Sequence, residues 1–180
     1  MSMKEKRWQS LGEMGLDFYY DFSPRVQQKQ AFSDQLALAA RLNMPVVVHT
    51  RDAFDDTLAI LKTFDGQLNH VVLHCFTGTA EQAKLALDQG YYISFSGVVT
   101  FKNAHSVREA ALCVPLDRLM IETDSPYLKP RNLRPKIRSH RNEPRLLPWI
   151  LGTLAACRNE HPEALAEATT RNARAFFRLC

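Results

Sequence analysis

Four short apolar runs, three of them ending in a polar residue able to bind metal, constrain this chain most. They are Val46-Val-Val-His-Thr, Val71-Val-Leu-His-Cys, Tyr91-Tyr-Ile-Ser-Phe and Leu119-Met-Ile-Glu-Thr-Asp. They are β-branched or aromatic and show no alternation of apolar and polar positions. That is how parallel strands covered on both faces read. Ser10-Leu-Gly-Glu-Met is a weaker run of the same kind. Strands are therefore predicted at about 10–14, 45–49, 70–75, 91–95 and 118–123.

Between the runs lie helical patterns. Ser23-Pro24 reads as an N-cap followed by proline in the first turn, with Phe32, Leu36, Ala39 and Ala40 recurring on one face. Asp52 is a candidate cap for a second helix bearing Phe54, Leu58 and Leu61. Thr79-Ala-Glu-Gln82 fits a capping box whose helix stops before Gly90. Further helices are predicted over 104–112, after an Asn142 cap, and from His161-Pro162 to about Phe177. Strands alternating with helices predict an α/β fold with a parallel sheet and βα units, in one domain spanning 1–180.

In such folds the C-terminal ends of the strands form the site. Three runs end at His49, His74 and Asp124, and Glu13 holds a comparable place on the weaker strand. A lone histidine or carboxylate at a strand end is commonly a hydrogen-bonded structural residue or a cap. Repetition at one topological position points instead to a shared rim. Two imidazoles and two carboxylates suit a divalent ion such as Mg, Mn or Zn. Arg51 adjoins the rim, either to grip a phosphate or to pair with Asp52 or Asp55. Cys75, beside His74, reads as a small buried residue. With Cys113, Cys157 and Cys180 it forms no CxxC pair, which suits reduced thiols.

The net charge of +4 is uneven. Residues 129–145 carry seven Lys or Arg against Glu143, a local +6 that leaves about −2 for the rest. Such a loop is either a phosphate-binding element or a solvated surface segment. No apolar run reaches the roughly 20 residues needed to span a bilayer, and no signal-peptide pattern opens the chain. A cytoplasmic protein without membrane contact is expected.

Read in order, Gly12-Glu-Met-Gly-Leu-Asp17, Pro45-Val-Val-Val-His-Thr-Arg-Asp52, Leu73-His-Cys-Phe-Thr-Gly78, Tyr92-Ile-Ser-Phe-Ser-Gly97, Glu122-Thr-Asp-Ser-Pro-Tyr127 and Arg141-Asn-Glu-Pro144 resemble the TatD family of metal-dependent deoxyribonucleases. The resemblance implies a TIM-barrel, amidohydrolase-like fold that hydrolyses phosphodiesters of DNA, exonuclease-like, with metal-activated water. It implies Glu13 as a carboxylate shared by two metals, and His49 and His74 as ligands of the second. It implies Asp124 as a ligand of the first that also handles the water's proton. Arg51, Arg138 and Arg141 would contact phosphates.

The family's opening His-x-His pair is absent from these 180 residues. Five strands are counted where a closed barrel has eight. The chain is thus expected to be an N-terminally truncated, incomplete barrel, with one well-held metal and impaired activity. Its open sheet edges and exposed apolar interior would favour a homo-oligomer. The alternative is an inactive fragment that binds nucleic acid through the basic loop.

Overall fold

The computed structural model describes residues 9–133 and 141–179. Five parallel strands lie side by side in chain order: β1 (Leu11–Asp17), β2 (Val46–Arg51), β3 (Val71–Leu73), β4 (Tyr92–Phe95) and β5 (Leu119–Ile121). All five runs are strands at their expected places. Helices α1 (Arg25–Leu42), α2 (Phe54–Lys62), α3 (Ala80–Leu87) and α4 (His105–Cys113) follow the first four strands, and α5 (Leu147–Arg158) and α6 (Pro162–Phe176) follow β5. Sequential parallel strands each followed by a helix are the repeating unit of a TIM barrel. Five such units form an open sheet here.

One face of the sheet packs on the helices. Met14, Leu16, Val46, Val48, Val71, Leu73, Ile93 and Leu119 meet Phe32, Leu36, Leu61, Ala83, Ala110 and Ile150 in a continuous core. The other face was expected to leave its apolar residues bare, and it does not. Asn172 of α6 donates from Nδ2 to the carbonyls of Leu116 (2.6 Å) and Leu119 (2.8 Å), beside the start of β5. The helix then delivers Phe176, fully buried, against Val72, Tyr92, Met120 and Val47. The Phe176 and Tyr92 rings meet edge-on at 5.5 Å. The His161-Pro162 start marked α6 as a helix but could not say which face of the sheet it would reach.

Three cap assignments also shift. Thr79 and Gln82 do form the capping box of α3. Pro24, however, is itself the N-cap of α1, and Ser23 offers no side-chain cap. Asp52 precedes the N-cap Ala53 in a left-handed conformation and does not cap α2. Asn142 caps no helix; a short 3-10 turn (Pro144–Leu146) intervenes before α5. For Asn142, tertiary hydrogen bonds to the carbonyls of Thr123 and Tyr127 took precedence over capping.

Candidate metal centre

The second face carries the polar residues. A side chain two positions along a strand returns to the same face one step nearer its C-terminal end. Val47 is followed thus by His49, Val72 by His74, Tyr92 by Ser94 and Met120 by Glu122. The apolar floor around Phe176 therefore lies directly beneath a polar layer.

Glu13 joins that layer through an irregularity. Leu11 pairs with Val46 and Met14 with Val48, so Gly12 and Glu13 together oppose Val47. This is a β-bulge, a device that re-aims a side chain beside a site. It keeps Met14 and Leu16 in the core while Glu13 points at the histidines. The two strands approach closely here. Gly15 has φ +148°, and a Cβ placed on it would lie 1.9 Å from the carbonyl oxygen of His49, so no other residue fits.

Three of the four expected donors lie within ligand distance of one another, and Asp124 falls in a separate grouping with His74 and Glu122. Glu13 Oε1 lies 2.9 Å from His49 Nδ1 and 2.7 Å from His74 Nε2, and those two nitrogens are 3.4 Å apart. Three donors bound tetrahedrally at about 2.1 Å from one ion are about 3.4 Å from each other. The histidine pair already has this spacing, and a small outward movement of the carboxylate would admit an ion. Each imidazole is held from its far side by a carboxylate: His49 Nε2 by Asp17 Oδ2 at 3.2 Å and His74 Nδ1 by Glu122 Oε1 at 3.0 Å. Carboxylate-backed imidazoles are the usual support of metal-ligating histidines, fixing ring orientation and raising basicity. The residues present thus fit a divalent cation. His74, Glu122 and Asp124 form a second grouping within ligand distance. It uses the opposite edge of the same imidazole, so the two groupings compete for His74.

The charges follow from this packing. Hydrogen bonds from His49 and His74 hold the Glu13 carboxyl far below the usual carboxylate range. Its hydrogen bond to Glu13 raises His49, against the effect of burial. Burial alone would depress His74, but bonds to Glu122 and Glu13 outweigh it and push its pKa up to about 10. Asp124 is raised by burial and by the neighbouring charges of Glu122 and Glu13, against His74.

Asp124 and Cys75 leave their strands in left-handed conformations, at φ 56° and 45°. Such geometry in non-glycine residues costs on the order of 1 kcal/mol each and gathers at functional sites. Burial pushes the Cys75 thiol up to about 12. Half-buried rather than fully buried, it lies 3.1 Å from Ser96 Oγ and 4.0 Å from Asp124 Oδ2.

Asn142 fixes the loop that carries Asp124, donating from Nδ2 to the carbonyls of Thr123 and Tyr127, each at 2.6 Å. Beside it Arg141 is exposed. Arg138 lies outside the described residues. Arg51 makes no ion pair with Asp52 or Asp55 among the described residues; its guanidinium lies over Tyr19 and Tyr20, at 3.8 and 4.8 Å from the ring centroids.

Sequence reasoning quoted Glu122 and Asp17 without assigning them to the imidazoles. Their signal was position: Glu122 directly follows β5, two residues before Asp124, and Asp17 lies in register with Arg51, two residues beyond His49. No helix of the described residues is long and apolar enough to cross a membrane.

Comparison with known proteins agrees with this geometry. Residues 1–178 match the TatD related DNase family. The chain is 42% identical over 170 residues to an uncharacterized metal-dependent hydrolase, YabD, of Bacillus subtilis, covering 94% of this chain and 65% of that protein. It is 44% identical over 175 residues to the 3'-5' ssDNA/RNA exonuclease TatD of Klebsiella pneumoniae, covering 97% and 66%. The crystal structure of YJJV, a TatD homolog from Escherichia coli, superposes with a TM-score of 0.86 at 29% identity, over 95% of this chain and 64% of that one. The chain thus spans just under two thirds of the length of the relatives it matches. On the family match over nearly all of its residues, the chain belongs to the TatD related DNase family.

Proposed function

We propose that this chain carries the catalytic rim of a metal-dependent phosphodiesterase that shortens DNA from its ends. The observation that carries the reading is the trio Glu13, His49 and His74, with both imidazoles backed by carboxylates. These three residues hold one divalent ion, Mg, Mn or Zn. Such an ion supplies Lewis acidity toward water and a phosphoryl oxygen. Asp17 and Glu122 keep the imidazoles oriented. Asp124, whose raised pKa favours proton uptake, accepts the proton of the attacking water. Arg51 and Arg141, with Arg138 of the basic segment, position phosphates. The exonuclease name of the Klebsiella relative supports nucleic acid as the substrate class. A homo-oligomer across the outer edges of β1 and β5 belongs to the same proposal, and light scattering that gives a monomer removes it.

The test is cleavage of a 5'-labelled single-stranded oligonucleotide with Mn, comparing the chain with His74→Ala. Progressive shortening that falls at least 100-fold in the variant is expected. Shortening that survives in His74→Ala refutes the site. Salt-sensitive binding without cleavage in either protein supports the competing reading, a nucleic-acid binder without catalysis.

A further inference from the structure

The loop after β1 presents three aromatic rings to solvent. Tyr19 is 58% exposed, Tyr20 53% and Phe22 88%. An exposed apolar cluster of this kind marks a contact surface, and this one is ordered. The rings of Tyr20 and Phe22 are parallel within 6° at 5.2 Å, and Tyr19 meets Tyr20 edge-on at 5.0 Å. The Arg51 guanidinium lies over Tyr19 and Tyr20. The backbone beneath is braced. Gln28 accepts from the Asp17 amide at 2.9 Å and donates to the carbonyls of Asp17 (3.2 Å) and Ser23 (2.8 Å), spanning the loop.

The platform is also tied to the metal centre. Asp17 Oδ1 accepts from the amides of Tyr19 (3.0 Å) and Tyr20 (2.9 Å), while its Oδ2 faces His49 Nε2. One carboxylate thus sets both the loop carrying the rings and the imidazole facing the ion. The combination of flat π-faces, an arginine and a neighbouring phosphodiester site matches the way single-stranded nucleic acids are gripped. A base inside a duplex is stacked on both faces, so the occupant is an unstacked, single-stranded one. A hydrophobic protein partner would not need the fixed cation.

We propose that Tyr19, Tyr20, Phe22 and Arg51 form a stacking platform for an unpaired nucleobase of the strand whose phosphate enters the metal centre. The identity of that strand rests on the phosphodiesterase reading, but the test needs no turnover.

Binding of a fluorescent eight-nucleotide oligothymidylate is measured by anisotropy in EDTA, for the full chain and for Tyr20→Ala/Phe22→Ala. Both rings are more than half exposed, so their truncation removes little packing. Loss of stacking is expected to weaken binding roughly 10- to 100-fold, and Tyr20→Trp/Phe22→Tyr is expected to retain it. An abasic strand of equal length is expected to bind the wild type as weakly as oligothymidylate binds the alanine variant. Mn affinity of the alanine variant is expected to equal that of the wild type. Equal oligothymidylate binding by wild type and alanine variant overturns the platform, as does wild-type binding that ignores the missing bases. A parallel loss of Mn affinity also overturns it, because the loop then acts on the metal centre rather than on bases. Cleavage is scored separately: base-dependent binding in a chain that never cleaves leaves the platform standing while removing the phosphodiesterase.

Discussion

Loading of a divalent ion onto Glu13, His49 and His74 is expected to expel protons, and the structure sets how many and at what cost. His74 has its pKa at about 10, against 6.5 for an unperturbed imidazole. The folded value is raised, so the ring carries its proton throughout the neutral range, with Nε2 facing Glu13 Oε1. An ion can use Nε2 only after that proton has left. At pH 7 its removal costs about 4 kcal/mol, from three pH units at 1.36 kcal/mol each. Affinity therefore rises about tenfold for each pH unit between 7 and 9, and more steeply where His49, also raised, still holds its own proton. The assay is calorimetric titration of Mn in buffers of different ionisation enthalpy, which counts released protons directly. Between one and two per ion are expected at pH 7. Linkage gives a second readout. The stability that His74 adds to the metal-free chain is complete below pH 6.5 and is lost as pH rises through about 10. Added Mn is thus expected to raise the melting temperature more at pH 9 than at pH 6. A pH-independent affinity with no released protons would refute the reasoning, because the ion would then be bound without the imidazoles.

Three substitutions probe the scaffold. Gly15→Ala drives a methyl into the His49 carbonyl in a backbone region closed to alanine; roughly 2–5 kcal/mol of stability and the Mn affinity are expected to be lost together, as read by urea denaturation and calorimetry. Phe176→Ala removes the fully buried ring that covers the second face, at about 3–5 kcal/mol by thermal denaturation. Asn142→Ala strips two carbonyls of their donor at a cost of about 2 kcal/mol; nucleolytic turnover is expected to fall about tenfold with Mn affinity unchanged, since Asp124 moves while the trio stays.

The sequence made the strands and the rim legible for one reason. Strands buried on both faces leave uninterrupted apolar runs, and polar residues that recur at the same end of such runs point to one shared rim. Glu13, His49, His74 and Asp124 could therefore be picked out although they lie far apart along the chain. What stayed hidden depended on contacts between segments. Nothing local marks Gly12 and Glu13 as the two residues that oppose Val47. Asp17 and Glu122 look like ordinary carboxylates until the register of neighbouring strands is known. Asn142 was misread because asparagine suits a helix cap as well as a loop clamp. The destination of α6 was invisible because periodicity shows that a helix has an apolar side but not what that side will meet.

The order in which segments leave the ribosome gives the position of Phe176 a last consequence. Glu13, His49, His74 and Asp124 all emerge before α6 is made. Until that helix docks, Val47, Val72, Tyr92 and Met120 lack the cover that α6 gives them. An apolar face uncovered at that stage is prone to association with other chains, and the docking of Phe176 with Ala173 and Phe177 ends that exposure.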